Sequence, residues 1–416
     1  MKLLIVSDAP ILYRNDMKMA YAPYVKEMDL WMRHVSQTTF LCPATYNRNL
    51  LITPFENQEF NHVKVRRLEF HRVAAAVLSL LSIPFQIYRL YSEMKKADHV
   101  HLRAPGNLAL LAGFVALSLS RKRKTIKYAG NWDPSAKQPL SYRLQKKLFS
   151  SPKWSENTSV MAYGQWSGQS GNIKPFFTAT YSKVERKVYS KTLQTPFQFL
   201  FVGTLSKNKN PYLLIELVKE LNRKGIRSEA HFYGDGPMRQ ELIRYCQPAP
   251  VEGLSENNNN VSSSCHPEPV EGAVENSSAS NEDIDYNKSQ FYFHGNQPAG
   301  IVKKAYEGAH FVFLASQSEG WPKVIAEAMW HGCLPIATPV SCVPWMLNQN
   351  REENKKVNWE TDRGILFYSM EQTVSEIKIM MAHSVYYEHM SQKAQQWSQQ
   401  YTLEKFDEAI KNLLHN

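Results

Sequence analysis

Short apolar blocks alternate with amphipathic stretches along residues 198–338, and this alternation predicts strands and helices in turn. The apolar run at 198–203 is typical of a buried strand. A helix is then predicted from Asn210 and Pro211 to Gly225, because capping residues open a stretch whose leucines repeat on one helical face. The same alternation continues beyond it. It predicts strands at 229–234, 291–294, 311–314 and 334–338, and helices at 238–246, 301–307 and 322–331.

The first half of the chain shows the same alternation less cleanly. It predicts strands near residues 2–7, 37–41, 63–67, 98–102, 124–128 and 158–162. Strands that alternate with helices of this size build parallel sheets with helices on both faces. We therefore expect an α/β protein with two doubly wound Rossmann-like domains, whose ligands bind in the cleft between them. The predicted domains are 1–190 and 191–385, followed by C-terminal helices at 386–416, for which packing back on the N-terminal domain is one arrangement.

One segment interrupts the second half. Residues 248–285 contain no Lys or Arg but eight Asp and Glu, a run of four asparagines and an imperfect ten-residue repeat. Such a composition buries too little apolar surface to offset the entropy of ordering the chain. We predict a disordered acidic insertion in a surface loop.

Charge is distributed unevenly around a formal net charge of +11, since residues 1–200 hold 29 Lys and Arg against 12 Asp and Glu. This bias, with the basic run 121–124, indicates either an anionic partner or a solvated charged surface. Two apolar stretches, 73–85 and 108–119, are too short to span a membrane. They are expected to be buried helices, but a place at a lipid interface beside the basic run is an equal alternative.

Other features narrow the class of protein. The five cysteines are scattered, which is typical of reduced thiols in a cytosolic protein, and no zinc-type spacing occurs among the histidines. No nucleic-acid-binding module is recognisable in the basic half. The first apolar residues fit a buried strand better than a secretory signal.

The most informative stretch follows the strand predicted at 311–314 and opens the next helix. It contains Glu319, Gly320 and Pro322 before the helix, and Glu327 on it. A helix N-terminus at the end of a strand offers unpaired N–H groups and a positive dipole end, which suit a diphosphate. The two carboxylates suit the hydroxyl groups of a sugar and a ribose, because an ionised carboxylate accepts from O–H donors. An ordinary strand–helix junction is the alternative.

This stretch resembles the E-x7-E motif of retaining GT-B glycosyltransferases of the family-4 type, also described as glycosyl transferases group 1. Further segments resemble that family in the same order along the chain. They are 201–205 with Lys209, the turn 232–237, the strand end 293–295 and the helix–strand unit 306–316. The resemblance implies a GT-B fold, in which two Rossmann-like domains face a central cleft.

The resemblance also implies site residues. Glu319 and Lys209 would be catalytic, with Glu319 on the sugar hydroxyls and Glu327 on the ribose. The donor-binding set is Gly203, Thr204, Lys209, Gly234, Gly236, Gly320, Trp321, Pro322, Val324 and Glu327. Thr204 stands where the family has arginine, and Lys207 is a candidate replacement. His101, Asn131 and His294 are candidate cleft residues, although a local hydrogen bond near a strand end is the alternative for His101.

We therefore expect a glycosyltransferase that moves a sugar from a nucleotide-activated donor to a glycan or lipid-linked acceptor with retention of configuration, in cell-surface polysaccharide synthesis. No metal, cofactor or nucleic acid is expected. The expected location is the cytoplasm, with peripheral contact at the inner face of the membrane through the basic N-terminal domain as an option. A nucleotide-sugar epimerase or other GT-B enzyme, and a catalytically idle membrane scaffold, are the alternatives.

Overall fold

A computed structural model describes residues 1–45, 51–151, 157–246, 290–350 and 356–415. Its N-terminal sheet has seven parallel strands in the order β10-β9-β8-β7-β1-β4-β6. The strands are β1 (Lys2–Val6), β4 (Gln37–Cys42), β6 (Asn61–Lys64), β7 (His99–Ala104), β8 (Arg123–Tyr128), β9 (Thr158–Tyr163) and β10 (Ile173–Phe176). Each of the six strands predicted in this half corresponds to one of them.

The C-terminal sheet has six parallel strands in the order β13-β12-β11-β14-β15-β16. They are β11 (Phe197–Val202), β12 (Ser228–Tyr233), β13 (Phe291–Gly295), β14 (Phe311–Leu314), β15 (Leu334–Ala337) and β16 (Ile365–Leu366). Two parallel sheets confirm the predicted α/β class with two Rossmann-like units. The insertion predicted at 248–285 lies outside the described residues.

Helices cover both sheets. In the N-terminal part they are α1 (Ala22–Met32), α2 (Val73–Lys96), α3 (Asn107–Leu117) and α4 (Leu140–Phe149). In the C-terminal part they are α5 (Tyr212–Arg223), α6 (Arg239–Cys246), α7 (Ala299–Gly308), α8 (Lys323–Trp330), α9 (Val343–Leu347), α10 (Met370–Ala382), α11 (Ser384–Ser398) and α12 (Leu403–His415). Helix α12 contacts the N-terminal part, because Asp407 bonds to His34 at 2.8 Å and Phe406 packs on Phe176.

The two faces of the N-terminal sheet differ in what covers them. Side chains on one face, such as Ile5 and Phe40, belong to the same buried core as the C-terminal sheet. Side chains on the other face, such as Val6 and Leu102, form a separate core. Helices α2, α3 and α4 lie side by side over that second core. One face of the N-terminal sheet therefore joins the two halves of the protein, and the other carries an independent helical layer.

The alternation of the sequence did not reveal a small antiparallel sheet. Its strands are β2 (Leu12–Arg14), β3 (Met17–Tyr21) and β5 (Ile52–Pro54). Strands of three to five residues are too short to show a period of two. The turn between β2 and β3 holds Asn15 and Asp16 at positive φ, which these two residue types tolerate.

Candidate active site

The loops that follow β11 and β12 pack together at the carboxyl edge of the C-terminal sheet, where backbone crowding demands glycine. A Cβ added to Gly234 would lie 2.0 Å from the carbonyl oxygen of Gly203, and one on Gly236 would lie 2.4 Å from that of Leu205. Both Gly203 and Gly234 have φ near +135°, which favours glycine. The amide of Gly203 also donates to Tyr233 O at 2.8 Å. The predicted donor-binding glycines 203, 234 and 236 therefore form one tightly packed shelf.

Lys209 and Glu319 are brought into direct contact beside this shelf. The Lys209 Nζ donates to Glu319 Oε1, and both side chains are largely buried. Their loops are tied together next to the pair, because Gln317 N donates to Asn208 O at 2.8 Å. The two residues expected to be catalytic lie 110 positions apart in the sequence, and the fold makes them neighbours. Thr204 and Lys207 are exposed in the same loop.

Helix α8 begins next to this pair. Pro322 precedes its first residue and has no N–H to donate, so the free backbone donors at this helix start come from Lys323 and Val324. Lys323 is exposed and adds a positive charge to the positive end of the helix dipole. The start of α8 therefore combines free backbone N–H groups with a positive side chain, which suits an anion.

Gly320 lies where the two halves of the protein pack closely. A Cβ at this position would lie 2.9 Å from the carbonyl oxygen of Ala129, at the end of β8 in the other half of the protein. The carbonyl of Gly320 accepts from Ser341 Oγ at 3.0 Å. Asn131, a candidate cleft residue, follows this Ala129–Gly130 loop and accepts from the amide of Asp133 at 2.9 Å. The loop that carries Glu319 thus packs directly against the N-terminal sheet's carboxyl edge.

Trp321 has a packing role that the resemblance did not suggest. It is 7 % exposed, and its ring packs among aromatic rings from both halves of the protein. Those rings are Tyr163, Trp345, Trp397 and Tyr401. The cluster anchors the loop before α8 from behind, so any contact of Trp321 with a donor would come from its backbone.

Glu327 lies one turn into α8, where it is half-buried and already hydrogen-bonded. Its Oε1 accepts from Thr180 Oγ1 at 2.8 Å, and Lys26 Nζ reaches the backbone carbonyl of Thr180 at 3.1 Å. Burial raises the pKa of the Glu327 carboxyl, although Thr180, Lys323 and Lys26 oppose the shift. The assignment of Glu327 to a ribose stays a prediction, and it must accommodate the bond to Thr180.

Both candidate cleft histidines, His101 and His294, pack against other aromatic side chains. His101 lies inside β7, not at its end, and is fully buried. Its Nδ1 bonds to Thr125 Oγ1 at 2.9 Å and its ring lies 4.0 Å from that of Trp31, which corrects its placement at the cleft surface. His294, half-buried at the end of β13, stacks between the rings of Tyr233 and His231. Burial lowers the pKa of both histidines below the usual value for an imidazole.

A buried ionic cluster at the carboxyl edge of the N-terminal sheet was missed by sequence reasoning. Glu27 bonds to Arg103 at 2.5 Å and to Lys127 at 3.0 Å, and the two cations lie opposite one another near the ends of the paired strands β7 and β8. Burial would raise the pKa of Glu27, but Arg103 and Lys127 hold it below its usual range. Burial lowers the pKa of Lys127 to about 8. No motif marks these residues, because they are scattered along the chain.

Among the described residues, no group of three or more His, Cys, Asp and Glu side chains is arranged to hold a metal ion. The groups that the candidate site offers to a ligand are the backbone N–H groups at the start of α8, the side chains of Lys209 and Lys323, and two carboxylates. That set fits an anionic, hydroxyl-rich ligand.

Comparisons with known proteins bear on the fold and on the enzyme class. Residues 277–397 match the family model described as Glycosyl transferases group 1. A search of curated protein sequences finds no significant match. The match and the fold together support assignment of the enzyme class as a glycosyltransferase.

Solved structures similar over the full length have the GT-B fold. One is HepE from Anabaena in complex with UDP-glucose, with 14 % identity, a TM-score of 0.60 and coverage of 100 % of this chain and 99 % of that one. The lipopolysaccharide outer core galactosyltransferase WaaB is 14 % identical, with a TM-score of 0.62 and coverage of 100 % of this chain and 99 % of that one. Sucrose-phosphate synthase from Thermosynechococcus elongatus is 12 % identical, with a TM-score of 0.59 and coverage of 99 % of this chain and 98 % of that one.

Proposed function

We propose that the protein transfers a sugar from a nucleoside diphosphate donor to a glycan or lipid-linked acceptor, with retention of configuration at the transferred carbon. The observation that carries the proposal is the Lys209–Glu319 pair, held at the start of α8 beside the glycine shelf formed by Gly203, Gly234 and Gly236. A donor diphosphate requires a cation and backbone N–H groups at one point. A sugar requires a carboxylate next to them.

Each group of the site has a separate role in the proposed sugar transfer. Lys209 and the free N–H groups of Lys323 and Val324 stabilise the negative charge that builds on the departing diphosphate. Glu319 accepts hydrogen bonds from sugar hydroxyls and fixes the sugar against the bond that breaks. Glu327 holds the ribose through lone pairs that Thr180 does not use. In this mechanism the charge on the leaving group is stabilised without a metal ion or cofactor.

The acceptor is proposed from the two sides of the cleft. The N-terminal carboxyl edge, with the Ala129–Gly130 loop, faces the donor side and is the natural place for an acceptor. The structural neighbour WaaB is a lipopolysaccharide outer core galactosyltransferase, which supports a role in cell-surface polysaccharide synthesis. We place the enzyme in the cytoplasm, at the inner face of the membrane.

Donor identity is tested first by thermal shift with UDP-glucose, GDP-mannose and ADP-glucose. A ligand that binds only the folded state raises the melting temperature, by an amount that follows its affinity. We expect the UDP-sugar to give the largest shift, because the structure of HepE was solved with UDP-glucose. No shift with any of the three would contradict a nucleotide-sugar site.

The chemistry is tested by substitution at the pair. Glu319→Ala should lower turnover by roughly 10²- to 10³-fold, as loss of a group that acts on the transition state does. It should lower the melting temperature by only a few degrees, because the substitution removes the bond to Lys209 and no residue of the hydrophobic core. Glu408→Ala, an exposed glutamate on α12, is the matched control. Glu327→Ala should mainly weaken donor binding.

The same assay separates the alternatives. An epimerase would alter the donor sugar without release of nucleoside diphosphate, and an idle scaffold would bind the donor without either reaction. Release of nucleoside diphosphate that depends on an acceptor and on Glu319 is the result that supports the transferase.

A further inference from the structure

Helix α2 has an inverted distribution of polar and apolar side chains. The residues that face the protein include Ser79 and Gln86, both buried, together with Leu90 and Met94. Ser79 Oγ accepts from the amide of Glu69 at 2.9 Å, and Gln86 Nε2 donates to Ser82 Oγ at 2.8 Å. A soluble surface helix carries its polar residues outward, so this helix has the opposite pattern.

The outward face of α2 is apolar along most of its length. Residues 77, 81 and 88 follow one another at helical spacing on the side opposite Ser79 and Gln86. The large exposed side chains of the helix are Val73 (84 %), Val77 (49 %), Leu78 (47 %), Leu80 (57 %), Leu81 (73 %), Phe85 (55 %), Ile87 (41 %), Tyr88 (70 %) and Tyr91 (41 %). Only 17 % of the most apolar 18-residue stretch of this helix is buried. The expectation of a buried helix at 73–85 is therefore wrong.

The exposed apolar surface continues onto the neighbouring helices. Helix α3 is mostly buried, as expected for 108–119, but it exposes Phe114 at its outer side. Helix α4 buries Gln145 and exposes Leu140 and Leu144, at 74 % and 44 %. We call the outward side of α2, α3 and α4 the apolar face. Contiguous exposed apolar surface of this kind marks an interaction site.

The charges around this face are predominantly positive. Residues 66–150 contain 16 Lys and Arg against 4 Asp and Glu, and α3 and α4 contain no acidic residue. Arg143 and Lys147 are exposed on α4 beside Leu144. Arg72 is exposed where α2 begins. A partner that covers the apolar face therefore meets basic side chains at its rim.

The basic run 121–124 contributes less to this rim than its sequence suggests. Lys122 Nζ donates to Ala97 O at 2.6 Å and to Lys95 O at 3.0 Å, at the end of α2. Lys124 is buried, and its Nζ donates to three backbone carbonyls that follow α3. Two of the four charges thus satisfy helix ends and do not form a solvated cluster.

We propose that the apolar face of α2, α3 and α4 docks the protein on an anionic lipid bilayer, with α2 lying in the plane of the interface. The expectation that 73–85 is too short to span a membrane does not hold for the whole helix, because α2 continues to Lys96 and is long and apolar enough to cross one by length and composition alone. The helix packs along its length on α3 and on the N-terminal sheet, however, so it lies on the bilayer as part of the domain. Basic side chains at the rim bind anionic head groups while the outward apolar residues enter the acyl boundary.

The orientation of the helices connects this surface to the cleft. Helix α2 leads from β6 into the parallel strand β7, so its first turns lie at the carboxyl edge of the sheet, where the cleft is. The first turns of α3 and α4 lie at that edge for the same reason. Docking by this face therefore places the cleft next to the lipid surface. This inference rests on the proposed function and narrows the acceptor to one held in a membrane by a lipid anchor.

A second copy of the chain is the other occupant that an apolar face permits. A symmetric dimer would bring the same patch together twice and set the basic rim of one copy against that of the other. Repulsion between like charges opposes that contact, whereas an anionic bilayer is complementary. The charge of the rim thus favours the lipid surface.

The test is co-sedimentation of the full chain with vesicles of phosphatidylcholine alone and with 30 % phosphatidylglycerol, at about 50 and 500 mM salt. We expect binding to the anionic vesicles that weakens at high salt. The double substitution Val77→Glu and Leu81→Glu should lower the partition coefficient at least tenfold. The matched control is the double substitution Ile301→Glu and Val385→Glu. These two apolar residues of the C-terminal part are 45 % and 56 % exposed. The control variant should bind vesicles as the wild type does.

A second variant tests the rim without touching Lys122 or Lys124. Arg143→Ser with Lys147→Ser should lower partitioning to anionic vesicles by roughly fivefold per residue, since each basic residue near an anionic surface adds about 1 kcal/mol. Binding to neutral vesicles should change little. Size-exclusion chromatography of the same proteins, without lipid, checks for a dimer that the Val77 and Leu81 substitutions dissociate.

Three results would overturn the proposal. They are absence of binding to any vesicle, equal binding of the Val77 and Leu81 variant, and a wild-type dimer that this variant dissociates. Acceptor-dependent release of nucleoside diphosphate, measured in detergent, distinguishes this failure from failure of the proposed function. If release persists while vesicle binding is absent, only the membrane proposal is wrong.

Discussion

The two halves of the protein use their polar and apolar residues in opposite ways. In the C-terminal half the functional positions are set by backbone geometry, as at Gly234, which lies against Gly203. In the N-terminal half, charged side chains such as Lys124 are buried and hydrogen-bonded to the backbone, while apolar side chains of α2 face outward. A sequence motif therefore identifies the functional positions of the C-terminal half. The placement of polar and apolar residues in the N-terminal half is explained only by the three-dimensional structure. Substitutions in each half can test this contrast.

The largest effect is expected at the glycine shelf. A Cβ on Gly234 would lie 2.0 Å from Gly203 O, at a φ of +134°. Gly234→Ala should therefore destabilise the protein by about 4 kcal/mol or more, since neither backbone segment has room to move. Gly300→Ala is the matched control, because a Cβ there lies more than 4 Å from the surrounding residues that the structure describes. It should stabilise helix α7 by about 0.5–1 kcal/mol.

Thermal unfolding of both variants measures the difference. A melting temperature of Gly234→Ala within about 2 °C of the wild type would show that the shelf tolerates a side chain. The loops would then be positioned by something other than close backbone contact.

The C-terminal half was the more predictable from sequence for a physical reason. Its strands and helices alternate with strong periodicity, and Gly, Pro and Glu near 319–327 have few alternative uses at a strand–helix junction. Sequence order also placed Lys209 and Glu319 in loops at the same sheet edge. It did not show the bond from Glu327 to Thr180, because that contact joins segments 147 residues apart.

The N-terminal half was less predictable because residue type did not decide location. His101 and Lys127 are polar and fully buried, and Leu81 is apolar and 73 % exposed. A run of apolar residues has the same sequence pattern whether the helix faces a core or a membrane. The side of α2 that packs inward could be recognised only from the bonds of Ser79 and Gln86.

Asp8 gives a pH-dependent test of the buried charges in the N-terminal half. Its carboxylate accepts from the amide of Leu108 at 3.2 Å, and burial raises the pKa of Asp8 from 3.8 to about 6. An acid whose pKa is higher in the folded state makes folding less favourable as pH rises between those values. Asp8→Asn should therefore raise the free energy of unfolding above pH 6.5, by up to about 3 kcal/mol. Below about pH 4 the gain should disappear.

Urea unfolding at about pH 4 and pH 7.5 measures this difference. Asp16→Asn is the control, because Asp16 is exposed in the turn between β2 and β3. A gain from Asp8→Asn of the same size at both pH values would contradict the argument from ionisation.

The basic run allows a smaller comparison within four residues. Lys124 Nζ donates to the carbonyls of Leu119, Ser120 and Lys122, whereas the Arg121 side chain is exposed. Lys124→Met should lower the free energy of unfolding by about 2 kcal/mol, because three backbone carbonyls lose a charged donor. Arg121→Met should change it by less than about 0.5 kcal/mol. Equal losses, measured by chemical unfolding, would mean that the run behaves as a uniform charged surface.

The smallest effect is expected from the acidic segment 248–285, which lies outside the described residues, between the end of α6 at Cys246 and the start of β13 at Phe291. Replacement by a short Gly/Ser linker should change the free energy of unfolding by no more than about 1 kcal/mol, since each doubling of loop length costs only about 0.6 kcal/mol. Turnover should be unchanged. The two readouts have different meanings. A loss of stability would show that the segment packs on the C-terminal half. A loss of turnover at constant stability would show that it acts at the cleft, and its eight acidic residues would then have to be considered beside Lys209 and Lys323.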